Sequence, residues 1–166
     1  RTASVVVVRD GQVVAGRNGI AGEWGHNPLP WPTPAELAGI QCFCGKRGCI
    51  ETYVSGTGFA RDHQVQTGEK LSALEITQRA DANDPKALAN LERYYDRLAR
   101  ALASVINVLD PEVIVLGGGL SNIDALYNQV PVLLSRHVFS DQVNTHLVPA
   151  RHGDSSGVRG AAWLWP

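Results

Sequence analysis

The three cysteines of this chain, Cys42, Cys44 and Cys49, fall in one short loop, and His26 stands upstream of them. Three thiolates and one imidazole make the donor set of a closed tetrahedral metal site, and soft sulfur ligands favour zinc over magnesium or calcium. Gly45 and Gly48 let the backbone curl tightly between the second and third thiol. The competing reading is a set of buried free thiols, or one disulfide with a thiol left over. Cys42 and Cys44 are too close along the chain for an easy disulfide, and an odd count leaves one thiol unpaired. The metal reading is preferred, with His26, Cys42, Cys44 and Cys49 as ligands of a structural Zn2+ that holds loops together rather than polarising water.

Glu23 and Glu51 flank these ligands, so two carboxylates converge on the same clamped place. A histidine that binds metal through one ring nitrogen still offers the other to an oxygen outside the metal shell. His26 could in that way touch a substrate as well as the metal. The bland alternative stays open beside it: both carboxylates accept bonds from loop amides, and the second nitrogen of His26 meets a backbone carbonyl.

Elsewhere the chain alternates between strand and helix patterns. Ala3 to Val8 and Gln12 to Ala15 are apolar, β-branched runs joined across Asp10-Gly11, a strong hairpin turn. Asn18 to Gly22 is turn chemistry. Pro28 to Pro34 cannot be helix interior, and with one short turn at Ala35 to Ala38 it is the part expected to move or to act as a lid. Ile50 to about Val65 reads as one helix despite Gly56 and Gly58. Ser72-x-x-Glu75 is a capping box that opens a helix to about Ala80. Asp84-Pro85 starts a long helix whose apolar stripe, from Leu88 through Leu98 to Leu109, reads as core rather than cofactor box, and Asp110-Pro111 stops it. A strand at Val113 to Leu116 leads into Gly117-Gly118-Gly119 and a helix from about Asn122 to Phe139. A strand near Thr145 to Val148 and a terminal helix over Val158 to Leu164, packing Trp163 and Trp165, complete the pattern. His63, His137, His146 and His152 have no metal partners in the sequence and read as surface or capping residues.

The strand, glycine turn and helix around Gly117, Gly118 and Gly119 suit a phosphate, because bare amides and a helix N-terminus attract anions without any side chain. The spacing is not that of a dinucleotide fingerprint, and no P-loop lysine follows. A plain tight turn accounts for three glycines equally well.

Composition bounds the partners. A formal charge of −1 over 166 residues, with no run of Lys or Arg, gives no electrostatic footprint for nucleic acid or an anionic membrane. No apolar stretch is long enough to span a bilayer and no signal peptide is visible, and reduced cysteines at metal spacing favour the cytoplasm. The chain has no methionine and opens directly on a strand-like run, so it is expected to be a piece of a longer protein.

Gly22-Glu23-Trp24-Gly25-His26, followed by Cys42-Phe43-Cys44-Gly45-Lys46-Arg47-Gly48-Cys49-Ile50-Glu51, resembles the signature of the ROK family of bacterial sugar kinases and sugar-responsive repressors. The resemblance continues through Val113 to Asn122 and His152 to Trp165, and so covers nearly the whole chain. It implies an α/β fold of the actin-like ATPase (ribonuclease H-like) type, a mixed sheet with flanking helices plus a zinc-binding loop within 22–51. Residues 1–166 would form the C-terminal lobe, with the N-terminal lobe, its phosphate loop and the catalytic aspartate lying outside this chain. Where the family usually carries a Gly-Thr-Gly run, this chain reads Arg1-Thr2-Ala3-Ser4.

By the same resemblance, His26, Cys42, Cys44 and Cys49 bind zinc, Glu23, His26 and Glu51 hydrogen-bond sugar hydroxyls, and Gly117, Gly118 and Gly119 lie against the nucleotide. The implied reaction is phosphoryl transfer from Mg2+-bound ATP to a hexose. Asn27 to Trp31 and the last segment are most similar to the fructokinase branch, with N-acetylglucosamine kinase, glucokinase and a sugar-responsive repressor as alternatives. A homodimer is implied for the full-length protein, and the fragment alone is expected to be inactive.

Overall fold

A computed structural model describes residues 3–156. The expected terminal helix over Val158 to Leu164, with Trp163 and Trp165, lies outside the described residues.

Helix α4, Pro85–Leu109, is the spine of the molecule. Asp84 caps it by accepting from the amides of Lys86 and Ala87, Pro85 occupies the first turn, and Asp110 closes it in the left-handed region with φ 44°. Each of these devices was present in the sequence, and the boundaries fall where they predict. The apolar stripe buries Leu91, Leu98 and Leu102, whereas Leu88 and Leu109 at its two ends remain partly exposed. Helices α1 (Glu51–Val54), α2 (Gly56–Thr67), α3 (Ala73–Asp81) and α5 (Leu126–Leu134) pack around it. Their fully buried side chains, with that of Ile50 just ahead of α1, include Phe59, Ile76, Leu126, Val130 and Leu134. At about 1.5–3 kcal/mol each, these provide the main drive for collapse.

The single helix expected from Ile50 to Val65 is broken at Ser55, whose extended backbone (ψ 158°) separates α1 from α2. The Ser55 side chain accepts from the Gly58 amide and caps the second helix. Gly58 allows the elbow: a Cβ built there would lie 2.5 Å from the Thr52 carbonyl oxygen. Helix propensity alone favours alanine over glycine by about 1 kcal/mol, but overpacking against backbone costs about 1–3 kcal/mol. Gly58→Ala is therefore expected to lower the denaturant midpoint by the equivalent of about 1–2 kcal/mol. A neutral or stabilised variant would show that the elbow opens in solution.

The capping box of α3 forms as read, with Ser72 accepting from the Glu75 amide and Glu75 accepting from that of Ser72. The helix expected from Asn122 to Phe139 is shorter. Gly119–Asn122 makes a 3-10 turn, in which the Ser121 hydroxyl donates back to Gly118, and α5 follows with Pro131 inside it.

The expected mixed sheet appears as two separate pairs among the described residues. Strands β1 (Val8–Arg9) and β2 (Gln12–Val13) form an antiparallel hairpin, and Asp10 and Gly11 both take positive φ, as a tight hairpin turn requires. Strands β3 (Val113–Leu116) and β4 (His146–Pro149) pair in parallel, Val113 opposite His146. In the first segment the Val5 amide donates to Gly22 and the Val14 amide to Val7, and no ladder bond joins it to β3 or β4 among the described residues. A cleft of about 2120 Å³ lies between that segment and β3. No described helix is long and apolar enough to cross a membrane.

Candidate metal centre and the cleft beside it

Residues 23–51 form a compact knot with little regular structure. Trp24–His26 is a 3-10 turn, and the indole Nε1 of Trp24 donates to the Ala101 carbonyl of α4 at 3.1 Å. Gly25 can only be glycine: a Cβ there would stand 1.9 Å from the Ala3 carbonyl oxygen. The turn delivers His26 to the cysteines. A short ladder then ties its two sides together. Leu29 donates to Gly48 at 2.9 Å, Ile50 donates to Asn27 at 2.9 Å, and Pro28 bridges to Cys49.

The structure brings His26, Cys42, Cys44 and Cys49 together, with all four donor atoms within 4.8 Å of one another. His26 Nδ1 is 3.6 Å from Cys42 Sγ, and Cys44 Sγ is 3.6 Å from Cys49 Sγ. Sulfurs at the corners of a zinc tetrahedron with bonds of about 2.3 Å are about 3.8 Å apart. The cage therefore fits that ion, and the three thiols are free rather than paired in a disulfide. Foremost through the Lys46 amide, the Cys44 thiol is drawn down to about 7, while burial first and the neighbouring sulfurs second push Cys49 up to about 12. A divalent ion held there would displace the thiol protons of Cys42, Cys44 and Cys49, so its binding would strengthen as pH rises. Phe43, between two ligands, sets its ring edge-on to His26 at 5.0 Å. Because Nδ1 faces the sulfurs, Nε2 on the far side of the ring points away from them.

Glu23 precedes the 3-10 turn and is exposed, whereas Glu51 opens α1 and is buried. One oxygen of Glu51, Oε2, accepts from the Ala3 amide at 3.1 Å. Gly117, Gly118 and Gly119 stand on the wall of the large cleft, with Ser55, Gly56 and Thr57 of the α2 N-terminus on the same cavity. Gly118 needs its φ of +86°, and a Cβ built on any of the three would meet nothing within 4 Å. Open space, rather than close packing, surrounds this loop.

Two features depart from the sequence reading. His63 is buried at 1% exposure, with neither ring nitrogen hydrogen-bonded, instead of lying on the surface. The proline excursion expected to move is gripped. Glu36, 8% exposed, receives Arg97 Nε at 2.7 Å, Arg100 at 3.0 Å and the Thr33 amide at 2.9 Å. Burial pushes its carboxyl up, but the hydrogen bonds from Arg100, Arg97 and Thr33 outweigh that and hold it at about 2. Arg97 also pairs with Asp62 of α2 at 2.9 Å, and Arg100 with Asp96 at 2.9 Å. Arg93, Arg97 and Arg100 recur at helical spacing in the sequence, and the burial of Arg97 and Arg100 in the structure is what demands carboxylate partners.

The ROK family model matches residues 5–166, and the chain belongs to the ROK family. The N-acetyl-D-glucosamine kinase of Photobacterium profundum is 41% identical over 162 residues, which are 95% of this chain and 54% of that protein. Among solved structures, a ROK family glucokinase from Streptomyces griseus in complex with glucose and AMPPNP aligns with a TM-score of 0.79 at 25% identity, over 93% of this chain and 54% of that one. A ROK family transcriptional regulator, a homologue of the E. coli MLC protein, aligns with a TM-score of 0.79 at 27% identity, over 98% of this chain and 43% of that one. The chain spans about half the length of the curated relatives it matches.

Proposed function

We propose that this chain is the sugar-holding lobe of an ATP-dependent ROK hexose kinase whose substrate is N-acetyl-D-glucosamine. The observation that carries the substrate is the 41% identity to N-acetyl-D-glucosamine kinase across 95% of the chain. Fructose, suggested by the Asn27 to Trp31 segment, becomes the second reading.

Three groups hold the sugar. Glu23 and Glu51 accept protons from ring hydroxyls, and His26 offers Nε2 while its Nδ1 faces the metal cage. The Ala3 amide fixes one oxygen of Glu51 and leaves the other for a hydroxyl. A pocket built from such groups rejects analogues that lack the hydroxyls, because its own polar atoms are then left unpaired. His26, Cys42, Cys44 and Cys49 would hold Zn2+, whose contribution is to fix the loop rather than to enter the reaction. Gly117, Gly118 and Gly119 would line the nucleotide side of the cleft, where bare amides suit a phosphate. The Mg2+ would arrive with ATP, and the base that takes the hydroxyl proton is assigned to the remainder of the full-length protein. Phosphoryl transfer rests chiefly on positioning and charge stabilisation, so a lobe that only orients the acceptor still contributes to the rate.

The test is an ATP-to-ADP coupled assay of the full-length protein with N-acetylglucosamine, glucose, mannose and fructose side by side. Turnover led by N-acetylglucosamine supports the proposal. Turnover led by fructose keeps the kinase and replaces the substrate. Hexose binding without turnover favours a regulator like the one whose fold aligns equally well. In the active enzyme, Glu51→Gln swaps an acceptor for an amide donor. Losing charge-assisted bonds of about 1.5–3 kcal/mol, it is expected to lower kcat/KM for the hexose roughly 100-fold while KM for ATP stays within twofold.

A further inference from the structure

Arg100 is 3% exposed, and all but one of the contacts of its guanidinium head reach into the proline excursion rather than along its own helix. Its Nη1 donates to the Pro30 carbonyl at 3.1 Å and to the Trp31 carbonyl at 2.9 Å, and also lies 3.0 Å from Glu36 Oε2. Nη2 donates to Glu36 Oε1 at 3.2 Å, and only Nε turns back, to Asp96 of its own helix. Glu36 in turn accepts from the Thr33 amide and from Arg97, and its carbonyl takes the Tyr53 hydroxyl at 3.3 Å. One arginine thus spans both ends of the excursion that leaves the knot after His26.

The excursion continues the ladder that sets His26 against Glu51. Leu29 pairs with Gly48 and Asn27 with Ile50, which places His26 and Glu51 one residue outside the paired positions. Pro30 and Trp31 follow directly, and nothing covalent holds them to the spine. Trp31 is held with φ +45°, a strained value for a tryptophan, so the segment is under external constraint. A helix-borne clamp at Pro30 and Trp31 thereby fixes the end of the ladder that spaces the two sugar-holding side chains.

We propose that Arg100, together with Glu36, is a positioning pair for the sugar pocket. By gripping the Pro30 and Trp31 carbonyls, it fixes the spacing of His26 and Glu51 without touching substrate. This rests on the sugar-kinase reading above. The fork shape of the guanidinium matters, because a lysine keeps the charge beside Glu36 but cannot reach two carbonyls and a carboxylate together.

The test uses the full-length protein with Arg100→Lys and, as a milder second variant, Glu36→Asp. Arg100→Lys is expected to keep one zinc per chain and an unchanged KM for ATP, while KM for the hexose rises on the order of tenfold and kcat changes by less than twofold. Hydrogen exchange is the second readout: peptides covering residues 27–40 and 46–51 exchange faster in the variant, while those from α3 do not. A hexose KM unchanged in both variants, or a matching loss in hexose KM, ATP KM and kcat, overturns the proposal in favour of a purely structural ion pair. If the wild-type protein turns over no hexose, the kinase reading fails on its own. Exchange then decides the clamp, and unchanged rates in both windows overturn it.

Discussion

Cys49→Ala in the full-length protein is expected to remove its zinc altogether, to lower the melting temperature by more than about 10 °C and to abolish hexose binding in the same variant. Cys49 is buried at 1% exposure and bridges to Pro28, so it stands at once in the cage and in the ladder. Structural zinc sites carry apparent binding free energies of about 10–16 kcal/mol. If only about 4 kcal/mol of that is coupled to folding, the midpoint moves by about 10 °C in a domain of this size. Apolar packing anchors the two sides of the loop through Leu29 and Ile50 but does not reach its tip, where Phe43, like Trp31 and Leu37, lies outside the core. Metal content, thermal melting and hexose titration are measured on the same preparation. Loss of zinc with normal melting and normal hexose affinity would refute a structural role. Cys44→Ala, at the exposed edge of the cage, is expected to act in the same direction with a smaller shift.

The second large effect is at Glu36. Its carboxyl is held at about 2, against an ordinary 4.5, by Arg100, Arg97 and the Thr33 amide acting against burial. A carboxyl depressed in the folded state contributes stability that is complete above its unfolded value and disappears as pH falls through the folded one. The window is therefore from about 4.5 down to about 2, with a contribution of about 3 kcal/mol. Glu36→Gln is expected to cost about 3–5 kcal/mol at neutral pH, since it leaves Arg97 and Arg100 buried without their shared counter-charge. The same variant should lose the extra acid sensitivity. Thermal melts of both proteins from pH 7 to pH 2.5 give the answer: the gap between them narrows below pH 4.5. Curves that stay parallel over that range would rule out Glu36 as the titrating group.

Local chemistry in the sequence foretold local structure. The Asp84-Pro85 start and Asp110-Pro111 stop of α4, the Ser72/Glu75 box of α3, the Asp10-Gly11 hairpin and the strand at Val113–Leu116 were all read from neighbours a few residues apart. The gathering of His26 with Cys42, Cys44 and Cys49 was equally legible, because three of the four residues sit in one loop. What escaped depended on close backbone approach or on distant partners, neither of which periodicity records. The break at Ser55 comes from a carbonyl at Thr52 and a missing side chain at Gly58, and helix periodicity does not register it. The proline excursion looked mobile because its anchors, Arg97 and Arg100, are far along the chain. His63 gave no sign of burial, since a lone polar residue on α2 reads as surface until the packing of α4 is known. For the proposed sugar contacts, the sequence placed Glu23, His26 and Glu51 close along the knot, but the bond that the Ala3 amide makes to one oxygen of Glu51 could not be read from it.

Trp24 sits between Glu23 and Gly25, in the same turn as His26, with its indole N–H held by the Ala101 carbonyl. It places a fluorophore inside the knot, fixed to the spine by a single bond whose geometry follows the loop. Emission from such an indole is expected to lie to the blue of that from Trp31, which is 55% exposed. With the other tryptophans replaced by phenylalanine, filling the cage or closing the ladder would be seen as a change of colour, with no label added to the protein.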